Sequence, residues 1–548
     1  MSKLTFAIAL TSLVVLTPAL GQASVSSLPT ENEVRLLQLE AMRVLGAVLL
    51  DPARSEADRL NTATVLVRNG DRTTLPLLTT TLLGDPFASV RRVVAEGLGR
   101  FRAPEATFAL RQAALSGPID SVRWAAAVSL VQIDSEQGDI IDVLLTQRDT
   151  LSAAALSLQN DATVKAFPQA FHDRVQTAFI QAFPDALTYN KVERAAMAKS
   201  LAALGSQRAV PLLSAALSDV DEDPFVRGAA AFSLGILGVQ NVVPDLIAAI
   251  DSGEDPLQVG ALNALGRLAN AQAISPIVAL LASEDSAEIR ASAVSALGSF
   301  GQTAVSVLID VLNTDSSPTV RQAALQVLVP LGEVSEGITQ AVVDFVTGPY
   351  LPACDPQACS TLALETISAL AKLDQGDLAL QLLNASIDAL ADVLPFVFAF
   401  AEEDLIRVAV EVGQVAPQVL DVLLANDNAF VKAIALAALP QIDPAGARQV
   451  LLPFVVPEEN RLLRRMAFEG LAQMPRPEDL GLYLAELQNK DRRTRAAAYS
   501  AIVKVGDAQV VAPLLEALAS EKLSVQLQAV EASFEFGKRI LAIKALSA

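Results

Sequence analysis

Two cysteines and one histidine bound the chemistry open to this 548-residue chain. Cys354 and Cys359 have four residues between them in VTGPYLPACDPQACSTL. Thiolates so placed can share a metal or close a disulfide, but a tetrahedral zinc site needs two more ligands and no histidine is near. His172 sits in KAFPQAFHDRVQTAFIQAF among phenylalanines at helical spacing, where it reads as a surface or core-edge residue and not as a base. A two-His metalloprotease helix is out of reach with one His. Asp219, Asp221 and Asp223 imitate the first, third and fifth places of a calcium loop. Pro224 then stands where that loop needs Gly and Ala230 where it needs Glu, so the three read as an inter-helix turn. No G-x-S-x-G, P-loop or G-x-G-x-x-G occurs. These residues predict no catalytic group, no metal site and no cofactor. Trp124, the one tryptophan, reads either as packed or as an exposed anchor.

Charge narrows the partners. Lys plus Arg number 41 against 61 Asp plus Glu, a net charge of −20. That field repels a polyanion, which excludes general nucleic-acid binding and favours a basic protein partner.

The elements that carry these residues repeat. Arg59, Arg91 and Arg123 each precede a Leu by seven positions and are spaced by 32; Arg194, Arg227, Gln258, Arg290 and Arg321 follow at 31 to 33, and Lys432, Arg464, Arg495 and a divergent Gln526 resume the step. An apolar residue precedes most of these positions (Val90, Val122, Val226, Ile289, Val320, Val431) and Ala follows three later (Ala126, Ala230, Ala261, Ala293, Ala324 and onward). Apolar, Ala and Leu at four-residue steps lie along one side of a helix, with the Ala letting a neighbour approach. Eleven after the Arg comes Gly70, Gly205, Gly238, Gly301, Gly332, Gly506 or Gly537, where the helix is expected to stop. The next segment starts the first helix of the following pair with an early Pro, as in VPLLSAALSD from Val210, and runs into an acidic turn at Asp85, Asp223, Asp285 or Asp315. The spacing predicts an all-α chain of about fifteen helix pairs stacked in file.

Such a pair, with V-R-x-x-A-x-x-x-L in its second helix and a closing Gly, resembles a HEAT repeat. The units DPFVRGAAAFSLGILG (223–238) and EIRASAVSALGSFG (288–301) carry the likeness best. More narrowly, it is similar to the short HEAT-like class first associated with phycobilisome lyases. The resemblance implies an α-solenoid. It also implies a ladder of hydrogen bonds between adjacent units made by Arg59, Arg91, Arg123, Arg194, Arg227, Arg290, Arg321, Arg464 and Arg495 with Asp85, Asp223, Asp285 and Asp315. Arg suits that role because its planar fork serves a carboxylate and carbonyls together.

At the start of the chain, Met1–Lys3 and an uncharged apolar run over 4–20 lead to small residues at 19–23, the order of a secretory signal peptide. Residues 1–23 are therefore expected to be removed, leaving 24–548 as one solenoid with an insertion near 346–360 that carries the cysteines. In an exported chain those two thiols are expected to form a local disulfide. The insertion, with Tyr350 and three prolines, is a candidate partner contact. The expected function is an exported, periplasmic or secreted, non-enzymatic scaffold for a protein partner, without stable membrane insertion. An accessory enzyme of the HEAT-like lyase class is the alternative. In a third reading, the apolar final helix, 540–548, mediates self-association.

Overall fold

A computed structural model describes residues 28–547 apart from 71, 160–166, 284–285, 333–335, 348–355, 391–393 and 457–458. The expected signal segment, Asp285 and Cys354 lie outside the described residues, and of Cys359 only the backbone is described, in the helix Pro356–Lys372. The described residues form thirty α-helices and no strand.

The apolar–Ala–Leu stripe explains why these helices pair. Val90, Val226 and Val320 are buried, as are Ala126, Ala230, Ala293 and Ala498 and the matching Leu98, Leu234 and Leu297. Alanine at the middle of each stripe lets the second helices of successive pairs lie directly side by side. Acidic side chains cap two of them, Asp223 on Pro224–Ile236 by accepting from the Phe225 N–H at 2.9 Å and Asp491 on Arg492–Val505 through the Arg493 and Thr494 N–H groups, while Ser55, Asn190, Ser286 and Asn460 cap others. Many first helices are entered through a single 3-10 turn, such as Gln207–Ala209 before Val210–Ser218, with Pro in the first helical turn.

At several second-helix ends the backbone turns left-handed, although at Gly70 it is extended, with φ −66°. Gly205, Gly238, Gly301 and Gly506 have φ between 58° and 74°. In two pairs that place falls on residues with a side chain, Arg102 (φ 47°) and Ala269 (φ 48°). Ala269 still donates its N–H to Leu265 O at 3.0 Å, so the cap is kept at a steric cost. Ala269→Gly is expected to stabilise the protein by about 0.5–1 kcal/mol, the left-handed penalty of Ala less the added entropy of Gly. A rise in the denaturant midpoint checks it; no rise would show that the cap is unstrained.

By internal contacts the chain divides into two units, Leu110–Val431 and the two segments Met1–Ala109 and Lys432–Ala548. In the first, second helices pack consecutively in one row, including Lys191–Ala203, Pro224–Ile236, Asp255–Leu268, Ala287–Gly298 and Pro318–Gly332. Among the described residues, the longer stretches between Arg123 and Arg194, and between Arg321 and Lys432, carry further helices.

The other unit joins the two chain ends. Glu31–Leu50 packs on the final helix, Leu523–Ser547, and on Val511–Leu518, while Glu56–Asn69 also meets the final helix. The first pair thus stacks on the last as if it were the next repeat. Gly537 does not end a helix, as the spacing suggested, but lies inside one; a Cβ there would come within 2.6 Å of Gln38 Nε2 and 3.2 Å of Val34 Cγ1. Its role is close approach between the first and last helices. Lys544 Nζ donates to Pro29 O at 2.7 Å across the same contact, and Ile540 is buried. Of the segment expected to mediate self-association, Ile540 is buried while Leu541 is 51% exposed. Terminal repeats of a solenoid expose an apolar face that must be shielded, and here each end shields the other.

Candidate binding surface

The repeating arginines join helices in two directions. In five of them one arm reaches back to a carbonyl at or just past the end of the preceding helix: Arg59 Nη1 to Asp51 O (2.7 Å), Arg123 Nε to Ala114 O (3.0 Å), Arg194 Nε to Phe183 O (2.7 Å), Arg227 Nε to Leu217 O (3.2 Å) and Arg495 Nη1 to Asn489 O (2.7 Å). Gln258 does the same to Ile250 O at 2.8 Å. The other arm reaches the next pair. Arg59 donates to Asp85 at 2.9 and 2.5 Å, Arg227 to Glu254 at 2.8 Å, and Arg290 to both carboxylate oxygens of Asp315 at 2.8 and 3.0 Å. Arg194 grips Glu222, Arg464 holds Glu486, and Arg123 and Arg495 use the neutral acceptors Gln147 and Gln528. Burial pushes the Asp315 carboxyl up, but donation from Arg290 and the Ser317 N–H outweighs it and holds the group below its ordinary value.

Not every named residue enters this network. Asp223 faces away from the arginines: it caps its helix and meets Lys191 Nζ at 3.3 Å, and the neighbouring Glu222 takes Arg194 instead. Arg321 donates to the Asp315 backbone carbonyl and lies 6.0 Å from the Phe345 ring centre. Arg91 has a buried Nε without a hydrogen-bond partner among the described residues. Its counterpart Arg59 finds Asp85 twenty-six residues on, and the corresponding place for Arg91 is Gly117.

The remaining chemical candidates settle into packing. Trp124 is buried, its ring centre 6.1 Å from that of Phe171. His172 is half-buried on Gln169–Ala182, the helix of Phe171, and is edge-on to that ring. Asp219 accepts from the Asp221 N–H inside its turn. Among the described residues no group of three or more His, Cys, Asp or Glu is placed to hold a metal, and no helix is long and apolar enough to cross a membrane.

A groove of about 410 Å³ runs along the row of second helices in the Leu110–Val431 unit. Phe225 and Phe232, two turns apart on one helix, line it with Pro256, Val259 and the flush surface of Gly228 and Gly260. Phe225 is 38% exposed and Phe232 half-buried. Lys199 Nζ lies 5.8 Å from the first ring centre and Arg267 Cζ 5.3 Å from the second. A cation over a ring face spends its attraction there. Asp255 and Glu288, also on the groove, are exposed and have no ion-pair partner among the described residues. A second opening lined by Val192, Pro224, Phe225 and Pro256 shares Phe225 and extends the apolar strip across a third helix. The strip is suited to apolar side chains of an extended segment, with anionic groups beside them. Sequence reasoning missed it. Its trace was two Phe seven residues apart on one face of a second helix, in a chain only 5% aromatic.

A model of HEAT repeats matches residues 42–135, 180–258 and 243–329. No curated protein matches the chain. Among solved structures, importin beta in an ammonium sulfate condition is 14% identical, with 93% of this chain and 86% of that one covered and a TM-score of 0.41. A Kap95:Nup1 complex is 11% identical over 93% and 86% at a TM-score of 0.44. Kap121p bound to Pho4p is 12% identical over 92% and 69% at 0.38.

Proposed function

Because the chain is an α-solenoid carrying HEAT repeats, we propose that it is a non-enzymatic scaffold that binds an extended, basic and partly apolar segment of a protein partner. The observation that carries this reading is the groove along Phe225, Phe232 and Val259, bordered by the unpaired Asp255 and Glu288. Stacked helix pairs offer a continuous surface for such a segment. The acidity of the unit that holds the groove supports a basic occupant: Leu110–Val431 carries 15 Lys plus Arg against 38 Asp plus Glu. The recurring polar residues support a non-catalytic role, since most are taken up in joining one helix to the next. The same reading places the work outside the cytoplasm, on the strength of the uncharged run over 4–20 and of the two cysteines near each other in the sequence.

Selection from a random twelve-residue peptide library on the immobilised protein tests the binding site. Selected peptides are expected to combine Lys or Arg with Leu, Ile or Phe. Replacing both Phe225 and Phe232 by Ala is expected to weaken them at least tenfold, about 1.4 kcal/mol. Peptides that bind the double variant equally well would remove the groove from the proposal, and a library that yields none would remove the proposal.

A further inference from the structure

The net charge of −20 conceals a reversal. Against the strongly acidic Leu110–Val431 unit, the remaining residues hold 26 Lys plus Arg and 23 Asp plus Glu. The excess is concentrated over residues 461–495, with eight basic side chains and five acidic ones. There the helices Arg461–Gln473 and Arg492–Val505 and the turn between 486 and 491 enclose a pocket of about 410 Å³. Arg461, Arg464, Arg465 and Lys490 line it, with Phe468 at one side, against two carboxylates.

Both carboxylates are already engaged. Glu486 is buried and accepts from Arg464 and from Asn489. Asp491 accepts from the Arg493 and Thr494 N–H groups, and those bonds hold its carboxyl low against the upward push of burial. The helix N-terminus is thereby capped from within, so an incoming anion would meet side chains. Arg461 and Lys490 are exposed and have no ion-pair partner among the described residues. Two uncompensated cations thus flank a cavity of side-chain size in a protein otherwise rich in acid.

We propose that this pocket is a second docking site, for a short Asp/Glu-rich segment of a partner protein, independent of the apolar groove and of opposite charge preference. Arg461 and Lys490 would each take a carboxylate, and the guanidinium of Arg461 allows a bidentate pair. The overall charge selects a short acidic peptide over a nucleic acid. Phosphates continue along a nucleic acid past the pocket, and a protein of net charge −20 repels those it does not hold. It also disfavours a second copy of this chain, which brings the same net charge with it.

The test uses the full chain and a fluorescein-labelled twelve-residue peptide of Asp and Glu with one Phe. Fluorescence anisotropy is expected to show saturable binding that weakens as salt is raised from 50 to 300 mM. The pair Arg461→Glu and Lys490→Glu is expected to weaken it at least tenfold with the thermal midpoint unchanged, because both side chains are exposed. Arg461→Lys should retain most of the affinity. The Phe225→Ala and Phe232→Ala variant should bind this peptide as the parent does, which separates the two sites. Equal binding by the charge-reversed variant would overturn the proposal, as would no binding at 50 mM salt. Displacement by a single-stranded oligonucleotide at equal charge would reassign the pocket to nucleic acid. Concentration-dependent sedimentation abolished by the charge reversal would reassign it to a second copy.

Discussion

Asp85→Ala is expected to destabilise the unit that holds it by about 3–5 kcal/mol, the usual cost of removing one partner from a buried ion pair. Asp85 has no exposed side-chain surface and Arg59 has 6%. One carboxylate oxygen accepts both Arg59 Nε and Nη2, and the other accepts the Phe87 N–H at 2.9 Å. Truncation leaves a guanidinium sealed between two helix pairs with only the Asp51 carbonyl to answer it. The pair itself need not add net stability over an apolar substitute; the loss comes from stranding the charge. Asp223→Asn is the contrasting case. Asn still caps a helix, and the Lys191 contact it weakens is largely exposed, so about 0.5 kcal/mol or less is expected. Chemical denaturation, with hydrogen exchange of the Glu56–Asn69 amides, reads both. An Asp85→Ala protein within 1 kcal/mol of the parent would show that water or movement supplies what the carboxylate did.

Asp85 and Asp223 also show how far the sequence could be read. Positions within a helix were readable, because a 3.6-residue period carries the phase of Val226, Ala230 and Leu234 without error. Partners across a turn were not. The acid that meets each Arg lies 26 residues beyond Arg59, 28 beyond Arg194, 27 beyond Arg227 and 22 beyond Arg464. The intervening turns differ in length, so helical phase is lost in them. Hence the conspicuous Asp-Pro at 223 looks like a partner in the sequence, although its side chain is spent as a cap and Glu222 has the reach. The union of the chain ends left less trace still. The Lys544–Pro29 contact spans 515 residues, and Gly537 has the spacing of a stop. Only the partner helix distinguishes a glycine that ends a helix from one that admits a neighbour. Charge was readable in total and misleading in distribution, since a single sum of −20 merges an acidic unit with a slightly basic one.

The same distinction among glycines governs the second large effect. Gly260→Ala is expected to cost about 3 kcal/mol, at the upper end for overpacking, despite the better helix propensity of Ala. A Cβ on Gly260 would lie 2.2 Å from Gly228 O and 2.7 Å from Gly228 Cα. These are backbone atoms of the adjacent helix and cannot rotate aside, so Pro224–Ile236 and Asp255–Leu268 must separate. Gly481→Ala, in Leu480–Ala485, is the control: nothing lies within 4 Å of its Cβ, and a small gain is expected from propensity alone. The separation has a functional reading as well. Phe225 and Phe232 belong to one of the two helices, and Pro256 and Val259 to the other. Parting them by even 1 Å strips contacts from the floor of the groove, because dispersion falls away over that distance. Gly260→Ala should therefore lower peptide affinity at a temperature where the protein is still fully folded, and Gly481→Ala should not. If Gly260→Ala loses its stability but binds groove-selected peptides as the parent does, the segment is held at the rim by Asp255 and Glu288, and the close approach of the helices serves stability alone.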